Sequence, residues 1–436
     1  MVPTVLLGMF LPRLDHRASH ANHLSARSTS TSSPVLATIR IPRATVVQMI
    51  PDEPTRQVLL MIQESTPGHH TLDSIQVRNG TTGAQAHSAS LGRDLTIGTS
   101  LVDPEMGRLY ILAGASSDSS GFLTGTPTIH VIDGTTGSTT RTFPAGLRPA
   151  SLAVDSVHHR LFILNEPPVD SGGSPVGDAV VRTLDLTTGK LLRMLHVANF
   201  KFGDQILVDE QAGSLYVPDE LGIRVLDEQT DTTRSIVSRA PIGYDVAGTF
   251  YSTAPVALDR RAGLLFISFS SSNRTTSDGG IYIVDARSGR VLHTVHGVGS
   301  DTVAVDERAD RFVGVFNDTK GSAQSAPTPY ISLDTVDIRR GSLVQSTEVP
   351  PYPTDVEQDL GVDEKTGRTI VVTSDDTSKP STNVVSVFDT RSGRLLRSGL
   401  MLGIGGPSVG TMAREGRVFV LNAGDNTVSV LDAARL

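Results

Sequence analysis

Short apolar runs recur along nearly the whole chain from residue 46, each ended by an acid or another turn-forming residue, and no stretch between them carries a 3.6-residue apolar period. Two patterns alternate. The first is an apolar run ending in Asp, three variable residues, then Gly or Arg and a second apolar run, as in SLVDPEMGRLYIL, SLAVDSVHHRLFIL, VALDRRAGLLFI and LGVDEKTGRTIVV. Its acids are Asp103, Asp155, Asp209, Asp259, Asp306 and Asp363; Asp52 opens a looser first copy and Met412 holds the position in the last. The second is an apolar run ending in Asp and usually closed by Gly four residues on, as in HVIDGTTG, RTLDLTTG, IYIVDARSG and SVFDTRSG. Its acids are Asp133, Asp185, Asp227, Asp285, Asp337, Asp389 and Asp432, with Asn79 in the first copy.

Each pattern predicts a hairpin, strands A and B from the first and C and D from the second. Asp caps backbone N–H groups of the turn and Gly supplies a positive φ. The B runs, such as RLFILN and GRVFVLN, are apolar at successive positions, which predicts burial on both faces. Eight copies of each pattern, with first-pattern positions 51, 52, 54, 50, 47, 57 and 49 residues apart, predict an all-β chain. The architecture expected is a β-propeller of eight four-stranded blades, seven being the alternative. The last copy ends at Leu436 after only three strands. VLATIRIP, residues 35–42, resembles the D strands KLLRMLHV and RVLHTVHG, so it is expected to complete the last blade and close the ring. The domains expected are a flexible segment over 1–33 and one propeller over 34–436.

Tryptophan is absent, which excludes the W-D repeat signature. NAGDNTVSVLD, GRVFVLN and the recurrent V-D-x-x-x-G-R-L-F and L-D-x-x-T-G resemble the YVTN-type propeller repeat family. The resemblance spans nearly the whole chain after the first segment, is closest in the last blade and departs in blades one, four and six. It implies a propeller, often in an extracytoplasmic setting, and no single activity.

Composition narrows the chemistry. With no Cys, disulfides, thiolate metal sites and a catalytic Cys are excluded. A net charge of −8 gives no electrostatic reason for nucleic acid as a partner. MVPTVLLGMFL is too short to span a bilayer and lacks a basic flank; with the Ser-, Thr- and His-rich stretch after it, it reads either as the remnant of an export signal or membrane tether or as a frayed terminus. No G-x-S-x-G, P-loop or dinucleotide fingerprint is present.

The sequence therefore points to a monomeric, non-catalytic propeller, secreted or surface-tethered, presenting a binding face to a protein, glycan or small-molecule ligand, with no obligatory cofactor. The alternative is a propeller enzyme, lactonase-like or quinone-dependent dehydrogenase-like, with its site on the axis. The A–B and C–D turns stay short while the B–C interval varies, so the loop-rich face is the one expected to bind. Its most irregular part surrounds blade four: Phe200, Lys201 and Phe202 enter it, Tyr244, Asp245 and Tyr251 leave it, and its B–C loop is the shortest. Aromatics flanking charges suit recognition; buried packing beneath irregular loops is the competing reading. Asp204, Asp301 and Asp359 each precede an A strand and could converge on calcium, or serve as solvated turn acids. His69–His70 and His158–His159 are adjacent pairs without metal-ligand spacing, and His16, His20 and His23 lie in the terminal segment. The fourteen repeat Asp residues read as architectural.

Overall fold

The computed structural model describes residues 33–436, except 43, 66–70, 94, 104, 115–124, 169, 171–175, 198–204, 220–221, 231, 239–249, 273–276, 299–301, 321–327, 351–357 and 376–380. The strands form eight four-stranded antiparallel sheets arranged as the blades of a propeller. Blades one to seven span 45–93, 96–144, 149–197, 207–238, 250–296, 302–348 and 358–404, each ordered A-B-C-D from the axis outward. The eighth takes A, B and C from 407–432 and its outer strand from Val35–Arg40 at the other end of the chain. That strand pairs with Thr427–Asp432 in the register Ala37 to Val430, Ile39 to Val428 and Arg40 to Thr427. Asp432 N–H to the Pro34 carbonyl (2.9 Å) and Ile41 N–H to the Asn426 carbonyl (3.1 Å) extend the seam at both ends.

The doubly apolar B strands explain why the ring closes. In blade three, Leu161 and Ile163 point into a cluster with Tyr110 and Leu112 of blade two, whereas Phe162 and Leu164 point into one with Val208 and Leu215 of blade four. The same holds around the circle: eight buried apolar clusters among the described residues each join two successive blades. Ile39 and Ile41 of the closing segment join the cluster of Met49, Leu60 and Phe419, which welds blade eight to blade one. Among the described residues no helix is long and apolar enough to cross a membrane.

The first-pattern acids are buried caps. Asp103, Asp155, Asp209, Asp259, Asp306 and Asp363 are each at most 2% exposed. Their Oδ1 atoms accept N–H groups of the A–B turn, for instance from Met106 (3.0 Å), Ala212 (3.0 Å) and Ala309 (2.8 Å). Thr55 and Thr366, three residues after their acids, add a hydroxyl donor to Oδ2 at 2.7 Å. Each A–B turn then ends in a left-handed residue, from Arg56 (φ 59°) through His159 (54°) and Gly213 (57°) to Gly416 (62°). Second-pattern acids cap C–D turns in the same way: Asp185 Oδ1 accepts from Thr187 N (3.0 Å), Thr188 N (2.7 Å) and Thr188 Oγ1 (2.8 Å). Gly189 closes that turn at φ +71°, where a Cβ would strike the Phe143 ring of blade two.

One further contact ties both turns of every blade together. The residue after the second-pattern position donates its N–H to the carbonyl of the residue ending the A–B turn: Gly80 to Arg56, Gly134 to Gly107, Leu186 to His159, Glu228 to Gly213, Ala286 to Gly263, Ile338 to Asp310, Thr390 to Gly367 and Ala433 to Gly416. These eight residues are structurally equivalent. At two of them a Cβ would meet the first-pattern residue of the preceding blade: on Gly134 it would lie 2.7 Å from Asp52 Oδ2, and on Gly80 3.0 Å from Met412 Sδ.

Candidate binding face

An antiparallel blade puts its A–B and C–D turns at one end and its B–C and D–A connections at the other. The two ends differ sharply. Every A–B turn is four residues long, and the C–D turns are five except for four at 338–341. At the other end the B–C interval runs from two residues at 220–221 to thirteen at 115–127 and 166–178, and the D–A interval from two at 94–95 to eleven at 239–249. Variation is confined to one face, as the sequence spacing predicts.

Strand length adds relief to that face. The B and C strands of blade four, Ser214–Asp219 and Gly222–Asp227, have six residues each, against nine in blade five (Leu264–Ser272, Ser277–Asp285) and ten in blade six (Arg311–Lys320, Thr328–Asp337). All start level at the turn face, so the whole difference appears on the loop face. At about 3.3 Å per residue the B and C strands of blade four stop roughly 10 Å short of those of blade five. Phe250 and Tyr251 belong to the raised wall, where their backbones pair with Ser272 and Ser271. Phe200, Lys201, Phe202, Tyr244 and Asp245, the other residues expected here, lie outside the described residues.

On the axis, the A strands of blades two to five enclose a channel of about 360 Å³ walled by Leu101, Leu152, Val154, Ile206, Val208 and Leu258. Among the described residues that line it, the charged ones are Glu210, Arg260 and Glu307, all from A–B turns at its turn-side mouth. Glu210 Oε1 stands 3.7 Å from Arg260 Nη2; Glu307 Oε1 accepts from Arg260 N at 3.3 Å, and Glu364 Oε1 from Glu307 N at 3.2 Å. Each glutamate thus reaches a neighbouring blade's turn. Burial raises the carboxyls of Glu210, Glu307 and Glu364 above their ordinary values, with nearby acids adding to the effect. The sequence reading did not single these residues out, although the repeat carries a signal for them: the residue after the first-pattern acid is Glu in four copies, Glu53, Glu210, Glu307 and Glu364.

Of the acids considered for calcium, Asp204 and Asp301 lie outside the described residues. Asp359 is the second residue of the A strand of blade seven, Gln358–Asp363, and both its oxygens are engaged: Oδ1 accepts from Leu360 N (2.8 Å) and Oδ2 from Val409 N of blade eight (2.7 Å). Burial pushes its carboxyl up. Its observed contacts bind two blades together. Of the histidines, His158 is brought beside acids from two blades, Asp155 and Glu228, an arrangement that spacing along the chain does not reveal.

No protein-family model matches this chain, and no curated protein is similar to it. Among solved structures it is similar in shape to the WD40 domain of Pan2 from Neurospora crassa, at 9% identity over 91% of this chain and 94% of that one, TM-score 0.47. It is also similar to hydrazine synthase from Kuenenia stuttgartiensis, at 13% identity over 78% of this chain and 95% of that one, TM-score 0.48. At these levels the likeness carries nothing about chemistry.

Proposed function

We propose that this chain is a non-catalytic propeller of the YVTN-repeat type that binds a protein partner through its loop-bearing face, at the low rim of blade four. The observation that carries the reading is the one-sided variation: constant turns on one face, and intervals of two to thirteen residues on the other. A rigid ring that varies at one end only is built to present that end. An extracytoplasmic setting, with the first residues as leader or tether, belongs to this proposal and rests on the apolar run at 1–11 and the polar stretch after it.

The test compares the two faces. Partners are captured with the full chain, and their affinity is then measured for Tyr244→Ala and Tyr251→Ala on the loop face and for Arg339→Ala and Arg414→Ala on the turn face. At a true hot spot each tyrosine variant weakens binding by roughly thirtyfold, about 2 kcal/mol, with little change in Tm. The turn-face variants bind as wild type does. Binding lost only in the turn-face variants would place the interface on the wrong side; a Tyr251→Ala chain that binds normally but melts early would assign the ring to packing.

A further inference from the structure

The eight equivalent positions after the second-pattern residue hold Gly, Ala, Leu, Ile or Thr in seven blades and a charged residue in one, Glu228 of blade four. The fold drops this side chain onto the first-pattern acid of the preceding blade, here Asp155. The A–B turn of blade three is also exceptional. Three residues after the acid it carries His158, where blades one and seven carry Thr55 and Thr366. These two departures from the repeat meet. His158 Nδ1 lies 2.7 Å from Asp155 Oδ2 and 2.7 Å from Glu228 Oε1, and the ligand atoms of all three side chains fall within 4.8 Å of one another.

The hydrogen bonds at this junction do not balance. Asp155 and Glu228 side chains are fully buried and that of His158 is 32% exposed. Asp155 Oδ1 is occupied by the His158 N–H at 2.9 Å. Asp155 Oδ2 and both oxygens of Glu228 are left, facing a single Nδ1 that can donate one proton. Neither Oε1 nor Oε2 of Glu228 has a hydrogen-bond donor of good geometry. Two guanidiniums nearby are engaged elsewhere: Arg160 Nη1 donates to the Glu228 main-chain carbonyl at 2.6 Å, and Arg234 Nη2 pairs with Asp227 Oδ2. A buried carboxyl with free lone pairs is destabilising by itself.

We propose that Asp155, His158 and Glu228 form a binding site for a divalent transition metal, Zn²⁺ or an ion of similar chemistry, at the turn-face junction of blades three and four. One imidazole nitrogen and two carboxylate oxygens are a donor set such ions accept; calcium and magnesium prefer oxygen alone. A dication balances the two carboxylates and supplies the missing partner to Glu228. The open side of His158 leaves room for water as a fourth ligand. Making room requires the 2.7 Å contacts to widen by about 0.5 Å, which the partly exposed His158 side chain can provide by turning outward. The site bridges two blades, so the ion acts as a clasp across their seam.

The test uses the full chain, stripped with chelator and titrated with Zn²⁺ by calorimetry, with Co²⁺ absorption as a second readout. The comparison variants are His158→Thr and Glu228→Ala, each copying residues that other blades carry at the same position, so folding is preserved. A third, His16→Ala/His20→Ala/His23→Ala, controls for binding by the terminal segment. Expected are one Zn²⁺ that survives in the third variant, affinity reduced at least tenfold to a hundredfold, as an order of magnitude, in each of the first two, and a tetrahedral Co²⁺ spectrum that disappears with them. A Zn²⁺-induced rise in Tm should be seen only where the site is intact. Zinc uptake equal in wild type, His158→Thr and Glu228→Ala, or none in wild type, overturns the proposal.

Discussion

Asp285 shows what the repeat asks of one residue. Its Oδ1 accepts the N–H and the hydroxyl of Ser288 at 2.7 and 2.6 Å, and these bonds to the charged form hold its carboxyl below the ordinary value. Asp185 and Asp389 are held down in the same way by Thr188 and Ser392. A carboxyl depressed in the folded state stabilises fully above its unfolded pKa, about 3.9, and loses that contribution as pH falls through the lower folded value. Glu307 and Glu364 work with the opposite sign: raised by burial, they favour the folded state less as pH rises through their titration. Asp285→Ala should therefore lower stability by about 1 kcal/mol at pH 7. The difference from wild type should shrink as pH falls below 4, measured by urea unfolding at both pH values. Binding by the fraction still folded should be unchanged; its selective loss would give Asp285 a role beyond the turn.

At the scale of the element, the constancy of the A–B turn has a conformational origin. Its last residue is left-handed in every blade, whether it is Gly107, Gly213 and Gly263 or Arg56, His159 and Asp310. For a side chain other than Gly that conformation costs roughly 1 kcal/mol. Arg56, at φ 59°, gains in return only an exposed ion pair with Glu415 at 3.0 Å, of small value. Arg56→Gly should raise stability by about 0.5–1 kcal/mol in chemical denaturation. A loss of stability instead would mean that the Glu415 pair between blades one and eight matters more than the turn geometry. The opposite ends of the strands carry no such constraint, which is why length varies there from six residues in blade four to ten in blade six.

For the whole molecule, the decisive object is the circle of eight inter-blade clusters. In an open array the terminal sheets would expose one apolar face each; ring closure buries both. The segment Val35–Arg40 performs that closure, with Ile39 only 4% exposed in the cluster shared by blades eight and one. Removing residues 1–42 should therefore strip the outer strand from blade eight and expose the seam, giving a steep fall in Tm and aggregation. Removing residues 1–32 should leave Tm as in the full chain. Thermal unfolding and size-exclusion chromatography of the two truncations check this, and equal stability would show that the ring holds without its closing strand.

How much of this could be read along the chain follows from the range of each interaction. Turns and strands were legible because their causes are local: Asp185 caps residues two and three positions on, and RLFILN needs no distant partner to declare itself buried on both faces. The eight-fold count and the closing strand were legible too, because repetition lets one copy identify another. What lies between blades was not. Sequence spacing separates His158 from Glu228 by 70 residues and makes the histidine one of an unremarkable pair; the ring sets their atoms 2.7 Å apart. Asp359, read as a possible calcium ligand, is bound by the Val409 N–H of the next blade, 50 residues on. The repeat determined by itself what each blade is. Only the closed ring decided which side chains meet across a seam, because that neighbourhood depends on the angle between blades, and no short stretch of sequence encodes it.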